Sequence, residues 1–370
     1  MRTQVVCHLI ASNFSGGPEK QIVDHCCRLD PERWRGVVAS FKENRSRVEV
    51  VDRARGRGLP GFLIDTRSQF SPAAVWHLRK LLRHNKVSLL ITHGYKANLV
   101  GYLATARSPI PQVPYVRGYT GESWRIRRYE EIDRQLLRRF KRILCVSEGT
   151  RQRLVSHGIR AESISVVHNA VDCPDGISAA DLREDFAIPE EATILVAAGR
   201  LSPEKGHCYL IDAIASLPDL APPPHLILLG AGREETSLRR QALSRGLSER
   251  VHFAGFRRGI LPYLAGADLV VNPSLSEGFP NVLLEALSVG TPVVATNVGG
   301  VSEIIKEDLT GWLVPPAEPL VLAEAIRKAL GSLPDAKLMA ERGRRLVSES
   351  FTFELQAQKL MAVFDRAVSS

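Results

Sequence analysis

The feature that most constrains this chain is a rhythm in which short apolar runs of strand length alternate with longer segments of helix length, and the rhythm begins twice. In the first half the strand-like runs are 4–10, 36–41, 61–64, 87–92, 112–116, 142–146 and 164–168. Helix-length patterns at 18–28, 72–83, 95–106 and 124–140 separate them. Parallel strands joined by crossover helices bury such runs on both faces, so the pattern predicts a doubly wound α/β domain. Turn residues and charge break it over 172–191, through Cys173-Pro174-Asp175-Gly176 and Ile188-Pro189-Glu190-Glu191. It then resumes with strand-like runs at 193–198, 225–230, 251–254, 269–272 and 292–296. The expected organisation is one domain over 1–175, a second over 186–350, and a terminal amphipathic helix in 351–370 that can pack back on the first domain.

Composition narrows the function classes. With 370 residues, 44% hydrophobic and 24% charged, the chain reads as an ordinary globular protein rather than a disordered or fibrous one. Its apolar runs fall far short of the roughly 20 residues of a membrane span, and the N-terminus has no signal-peptide h-region, so a cytoplasmic location is the default expectation. The six cysteines show no C-x-x-C spacing and several lie in apolar runs, which predicts buried free thiols. The ten histidines form no H-E-x-x-H pair and no Asp-x-Asp occurs, so no metal site and no cofactor are expected.

Charge is uneven. Residues 1–185 carry 31 Lys+Arg against 19 Asp+Glu, a net +12, while 186–370 carry 18 against 21, a net −3, which together give the chain's +9. A basic first domain suits an anionic partner, or it is only a solubilising face. Its densest part is Arg125, Arg127, Arg128, Arg134, Arg138, Arg139, Lys141 and Arg142, beside Trp124 and Ile126. Two readings of it stay open: a segment that meets anionic lipid or an anionic acceptor, and a surface helix neutralised by Glu130, Glu131 and Asp133. No RNP, KH or helix-turn-helix signature supports nucleic-acid binding, and no Gly-Lys-Ser/Thr supports a Walker A loop.

In doubly wound sheets ligands gather at the carboxyl ends of strands. Two stretches there carry chemistry. In Pro273-Ser274-Leu275-Ser276-Glu277-Gly278-Phe279-Pro280-Asn281-Val282-Leu283-Leu284-Glu285-Ala286 a polar loop runs into a helix. The free N–H groups and positive dipole end of such a helix suit a phosphate. Glu277 and Glu285 are spaced to face one cleft, although two glutamates at one spacing arise readily by chance. Glu285, set among Leu283, Leu284, Ala286 and Leu287, is an awkward resident of a solvated face. In Gly199-Arg200-Leu201-Ser202-Pro203-Glu204-Lys205-Gly206 two cations follow a strand, where an Arg fork and a mobile Lys can neutralise a diphosphate. The plainer reading of that stretch is a solvated turn before a helix.

Together these stretches resemble the family 4 glycosyltransferases of the GT-B fold, two Rossmann-like doubly wound domains facing a central cleft. The resemblance covers nearly the whole chain and extends to Ser15-Gly16-Gly17, Val146-Ser147-Glu148, Asn169-Ala170-Val171-Asp172, Gly230-Ala231-Gly232, Gly255-Phe256 and Pro292-Val293-Val294-Ala295-Thr296 with Gly299, Gly300 and Glu303. It implies that Arg200 and Lys205 bind the donor diphosphate, Glu277 the donor sugar's hydroxyls and Glu285 the nucleotide ribose. Gly199, Asn281, Val282 and Leu283 would offer donor-binding positions, and Gly16 and Gly17 would approach the diphosphate. His93 matches a histidine near the donor sugar's hydroxymethyl group, with a loop-packing role as the alternative. Glu19 is read either as approaching the acceptor or as sitting on the first helical turn.

The implied function is retaining, metal-independent transfer from a nucleotide-diphosphate sugar, UDP-sugar preferred and GDP-sugar next, to a glycan or lipid-linked acceptor. The implied setting is envelope polysaccharide or lipopolysaccharide synthesis, peripheral at the inner face of the membrane. A nucleotide-sugar epimerase or phosphorylase of the same fold, and a non-enzymatic anion-binding protein, are the competing readings.

Overall fold

The structure is a computed structural model that describes residues 3–12, 16–43, 48–66, 72–119, 124–217 and 220–369. The chain divides into two compact units, residues 1–170 with 353–370, and residues 171–352.

The first unit is a seven-stranded sheet. Its strands are β1 (Gln4–Ile10), β2 (Trp34–Glu43), β3 (Gly61–Thr66), β4 (Leu89–His93), β5 (Gln112–Val116), β6 (Ile143–Cys145) and β7 (Ile164–Val166). All neighbours pair in parallel, in the order β3-β2-β1-β4-β5-β6-β7. Its central strands are buried on both faces, as crossover helices require. On one side Leu9, Phe41, Ile64 and Leu90 pack with Leu78 and Ala97 from helices Pro72–His84 and Tyr95–Thr105. On the other, Ile10 and Val38 pack with Ile22, Val50 and Val51. Two helices absent from the sequence reading, Glu49–Gly56 and Glu148–Ser156, complete the crossovers.

Helix Phe353–Val368 belongs to this unit although it ends the chain. Phe364 meets Trp34 edge-on at 5.3 Å, the Trp34 indole donates to Asp365 at 2.8 Å, and Gln356 donates to Gln21 at 3.1 Å and to the His168 carbonyl at 2.6 Å. Arg28 pairs with Glu354 at 2.9 Å and lies over Phe353.

The second unit is a six-stranded parallel sheet of β8 (Ile194–Ala198), β9 (His225–Leu229), β10 (Val251–Gly255), β11 (Leu269–Asn272), β12 (Val293–Thr296) and β13 (Trp312–Val314), ordered β10-β9-β8-β11-β12-β13. The three-residue β13 was too short to stand out in the sequence. Residues 172–191, read as a linker, include the one-turn helix Leu182–Phe186, capped by the Asp181 side chain on Glu184. Helix Leu333–Ser350 crosses helix Asn281–Ser288 where Gly343 faces Leu287; an added Cβ at Gly343 would lie 2.5 Å from a Leu287 methyl. Close approach of two helices therefore depends on that glycine.

Candidate functional site

Both sheets reverse their strand order at one point, between β1 and β4 in the first unit and between β8 and β11 in the second. Loops leaving adjacent strands in opposite directions open a crevice there, the general ligand position of such sheets.

In the second unit three loops close on each other at the carboxyl ends of β8, β11 and β12. The Leu275 N–H donates to the Glu204 carbonyl at 2.8 Å, and the Gly300 N–H donates to the Gly278 carbonyl at 3.0 Å. Two glycines make these approaches feasible. Gly206 has φ +65° and an added Cβ would lie 2.1 Å from the Pro273 carbonyl oxygen; at Gly299, φ +57°, it would lie 1.8 Å from that of Glu277. No other residue type fits either place without moving backbone.

This packing brings Lys205 to Glu277. Lys205 Nζ donates to Glu277 Oε1 at 2.7 Å, and Ser274 Oγ donates to the same oxygen at 2.7 Å. Neither bond uses Oε2. The Glu277 side chain is only 8% exposed and that of Lys205 25%, so the pair is partly shielded from water. Ammonium keeps further N–H donors after this bond, so Lys205 can serve Glu277 and a ligand anion together. His207, behind Lys205, is pushed down to about 4, first by burial and then by the lysine's charge, so it adds no positive charge at neutral pH.

Helix Asn281–Ser288 follows the same loop with Pro280 at its N-cap and no side-chain cap. Asn281 and Val282 are half-buried and Leu283 is buried at the start of this helix. Glu285 lies inside it, 9% exposed among fully buried Leu283, Leu284, Ala286 and Leu287. Arg200 is exposed, and the Gly199 N–H joins the loop to β9 through the Leu229 carbonyl at 2.9 Å. The second-unit residues singled out in the sequence thus share the switch-point loops and the helix that follows them. Ser274 and Gly299, which anchor Glu277 from two sides, carried no assigned role in the sequence reading.

The first unit's switch point is built differently. His93 ends β4 and is 5% exposed; its Nε2 lies 3.1 Å from His8 Nδ1 on β1, and His8 Nε2 lies 3.4 Å from His25 Nε2. Arg117, just beyond β5, donates from Nε to His93 Nδ1 at 3.4 Å and from Nη1 to Asn169 at 2.8 Å, with its guanidinium over the Tyr115 ring. An arginine can only donate, so His93 Nδ1 accepts and the proton of neutral His93 sits on Nε2, facing His8. The same order carried onward puts the His8 proton on Nε2, facing His25.

Burial, reinforced by the nearby Arg117 charge, lowers His8 to about 3 and holds His25 and His93 well below the usual range. All three are neutral at pH 7. Both ring nitrogens of His93 are engaged, so contact with a sugar hydroxyl would require it to give up its longer bond, the one to Arg117.

Gly16 is the N-cap of helix Gly17–Cys26, and its N–H donates to Glu19 Oε2 at 2.9 Å. Glu19 is therefore on the first helical turn, where it satisfies the free N–H of the N-cap glycine. Ser15, beside the two glycines, lies outside the described residues.

The six cysteines are free; Cys7, Cys26 and Cys145 are buried as expected, while Cys27, Cys173 and Cys208 are only half-buried. Ligand atoms of His8, His25 and Cys26 lie within 4.8 Å of one another. The fit to a metal is poor, because the two imidazoles bond to each other and burial raises the Cys26 thiol well above its usual range, disfavouring the thiolate a metal needs.

Known proteins resemble the chain in sequence and in fold. The family model described as Glycosyltransferase Family 4 matches residues 15–174, and that described as Glycosyl transferases group 1 matches 178–346. A D-inositol 3-phosphate glycosyltransferase of Jonesia denitrificans is 33% identical over 50% of this chain and 45% of its own length. The lipopolysaccharide core biosynthesis glycosyltransferase LpsE of Rhizobium meliloti is 32% identical over 57% and 60%. The chain thus spans about half of these curated relatives. The Anabaena protein HepE, solved in complex with UDP-glucose, superposes with a TM-score of 0.85 at 25% identity over 98% of this chain and 99% of its own. With two parallel doubly wound units and both family models matched in tandem, the chain belongs to the family 4 glycosyltransferases of the GT-B fold.

Proposed function

We propose that the chain is a retaining, metal-independent glycosyltransferase that moves a sugar from a nucleotide diphosphate, UDP-sugars before GDP-sugars, onto a glycan or lipid-linked acceptor of envelope polysaccharide or lipopolysaccharide synthesis. The observation that carries this reading is the Lys205–Glu277 pair, held by backbone contacts at the switch point just before an uncapped helix start.

In this reading Arg200, Lys205 and the N–H groups of Asn281, Val282 and Leu283 take the diphosphate. Charge builds on that group as the glycosidic bond breaks, and fixed donors aimed there lower the barrier. Glu277, pinned through Oε1, offers Oε2 to sugar hydroxyls. Glu285 takes the ribose. The leaving phosphate oxygen accepts the acceptor hydroxyl's proton on the same face, so configuration is retained without a side-chain base. The names of LpsE and of the UDP-glucose complex of HepE support the choice of setting and donor. No helix among the described residues is long and apolar enough to cross a membrane, and the membrane contact proposed is peripheral, at the inner face, through the basic first unit.

A thermal-shift screen against UDP-, GDP- and ADP-sugars tests the donor, since a ligand at 100 times its Kd adds about 2.7 kcal/mol. NMR of the product's anomeric carbon tests retention. No shift with any nucleotide sugar, or an inverted product, would overturn the reading. Isomerised donor formed without acceptor would point to the epimerase instead.

A further inference from the structure

Three neighbouring helices of the first unit, Pro72–His84, Tyr95–Thr105 and Trp124–Leu137, form a face that the donor chemistry does not use. Two apolar grooves run along it and share Leu99: one lies between Trp76, Val75 and Leu103, the other between Tyr95, Tyr129, Ile132 and Leu136. Large apolar side chains stand in solvent here. Trp76 is 60% exposed, Trp124 59%, Ile132 57% and Leu103 46%. Scattered single cases need no explanation, but four on one helical layer, beside grooves, do.

The charge on this face is one-sided. The first two helices contain no Asp or Glu. The third contains Glu130, Glu131 and Asp133. Asp133 turns inward to accept from Asn98 at 2.7 Å and Tyr119 at 3.2 Å, and burial raises it to about 6. Glu130 is 6% exposed. Glu131 pairs with Arg134 at 2.7 Å. Arg125, Arg127 and Arg128 are exposed and form no ion pair among the described residues. The sequence alternative of a helix neutralised by its own acids therefore does not describe these three arginines. Each exposed tryptophan also carries a cation beside its ring, Arg125 at 5.3 Å from Trp124 and Lys80 at 5.6 Å from Trp76.

Amphipathic indoles flanked by cations, over apolar grooves and without exposed unpaired acids on the same helices, fit a boundary between acyl chains and phosphate headgroups. We propose that this three-helix face docks on an anionic phospholipid bilayer, with Trp76, Leu103, Trp124 and Ile132 entering the headgroup layer and Arg125, Arg127 and Arg128 pairing with lipid phosphates. The inference deepens the peripheral contact of the proposed function and rests on it for the membrane as the source of acceptor. The geometry of the face is independent of the donor site.

The test is co-sedimentation of the full chain with vesicles of phosphatidylcholine alone and of phosphatidylcholine mixed with phosphatidylglycerol. Binding to the mixed vesicles only, weakening as salt is raised, is expected. Trp34 and Trp312 are buried, so a blue shift of tryptophan emission on binding reports Trp76 and Trp124. Removing the three arginine charges together, Arg125→Gln, Arg127→Gln and Arg128→Gln, should weaken vesicle binding by about a hundredfold, at roughly fivefold per cation. Trp76→Ala with Trp124→Ala should abolish the blue shift, and UDP-glucose hydrolysis in detergent-free buffer should be unchanged in both variants.

Equal binding to neutral vesicles, or none to mixed vesicles at low salt, would overturn the proposal. So would a concentration-dependent dimer that the same substitutions dissolve, which would assign the face to a second copy. Vesicle binding without any nucleotide-sugar turnover would break the functional reading and leave this one standing.

Discussion

The two units share an architecture and differ in how they treat charge where their strand order reverses. In the second unit the switch point holds a lysine and a glutamate, bonded at 2.7 Å and partly shielded. In the first it holds three imidazoles kept neutral by burial, with Arg117 as the cation beside them. One unit thus holds a charged pair at this point, and the other stores stability that depends on histidines staying unprotonated. The comparison teaches that a shared fold fixes where a site lies and leaves its electrostatics to a few side chains.

The largest expected effect is acid sensitivity that is greater in the first unit than in the second. Below about pH 6.5 an unfolded histidine takes up a proton, while folded His8 does so only near 3 and His25 and His93 also titrate well below their usual range. The unfolded state then binds more protons, so stability falls as pH drops from 6.5 towards those depressed values, by up to about 1.4 kcal/mol per pH unit for each histidine. The second unit has one strongly shifted histidine, His207, lowered to about 4. Fluorine spectra of 5-fluorotryptophan protein, with Trp34 and Trp312 reporting one unit each, should show Trp34 losing its native signal at the higher pH. Simultaneous loss would break the contrast.

Removing the terminal helix sharpens the same comparison. Ending the chain after Thr352 takes Phe353, Leu360 and Phe364, all fully buried, from the first unit and nothing from the second. At about 1.5–3 kcal/mol for each such side chain, the loss is comparable to the whole stability of a domain. Hydrogen exchange should find β1, β2 and β4 unprotected and β8, β9 and β11 still protected. Equal protection of both sets would show that the helix contributes little.

Next is Lys205→Ala. If, as proposed, the shielded pair also serves the donor's anion, removing one partner costs about 2–5 kcal/mol, or roughly 30-fold and upward in kcat/KM for donor turnover. In contrast His8→Gln, which keeps a polar side chain in the imidazole chain, should change turnover far less than it changes acid stability. A larger loss of turnover from His8→Gln than from Lys205→Ala would reverse the assignment of roles.

How much of this was legible depended on where the chemistry lies along the chain. The second unit's candidate groups come from two contiguous stretches, each following an apolar run, so the rule about strand ends pointed to the loops that carry Arg200, Lys205 and Glu277, and the apolar neighbours of Glu285 marked it out in the helix that follows. The first unit's groups come from β1, the following helix, β4, the end of β5 and Asn169, and no local spacing links them. Two signals were present: His8 interrupts an otherwise apolar strand, and Arg117 follows the run 112–116. Their meaning required the strand order, since β1 and β4 are adjacent only through long-range pairing. The short β13 and the helix Glu49–Gly56 were missed because three residues of strand, or a highly charged helix, give little apolar period. The basic segment shows the opposite case: the sequence posed two readings, and the inward turn of Asp133 takes one of the three acids of the surface-helix reading away from the exposed arginines.

The smallest effect concerns the glycines that let the second unit's loops touch. Gly299 and Gly58 both have positive φ, +57° and +77°, yet they differ in what surrounds them. An added methyl at Gly58 meets nothing within 4 Å, so Gly58→Ala should cost only the roughly 1–2 kcal/mol of a left-handed backbone. At Gly299 the same methyl lies 1.8 Å from the Glu277 carbonyl oxygen, so the backbone must move as well, and the carboxylate that Lys205 and Ser274 hold moves with it. Thermal unfolding should therefore show Gly299→Ala at or just beyond the upper end of that range. Donor turnover should fall in Gly299→Ala and stay unchanged in Gly58→Ala. Equal turnover in both would mean that the position of Glu277 does not depend on the loop contact, and the claim that backbone packing sets the charged site would fail there.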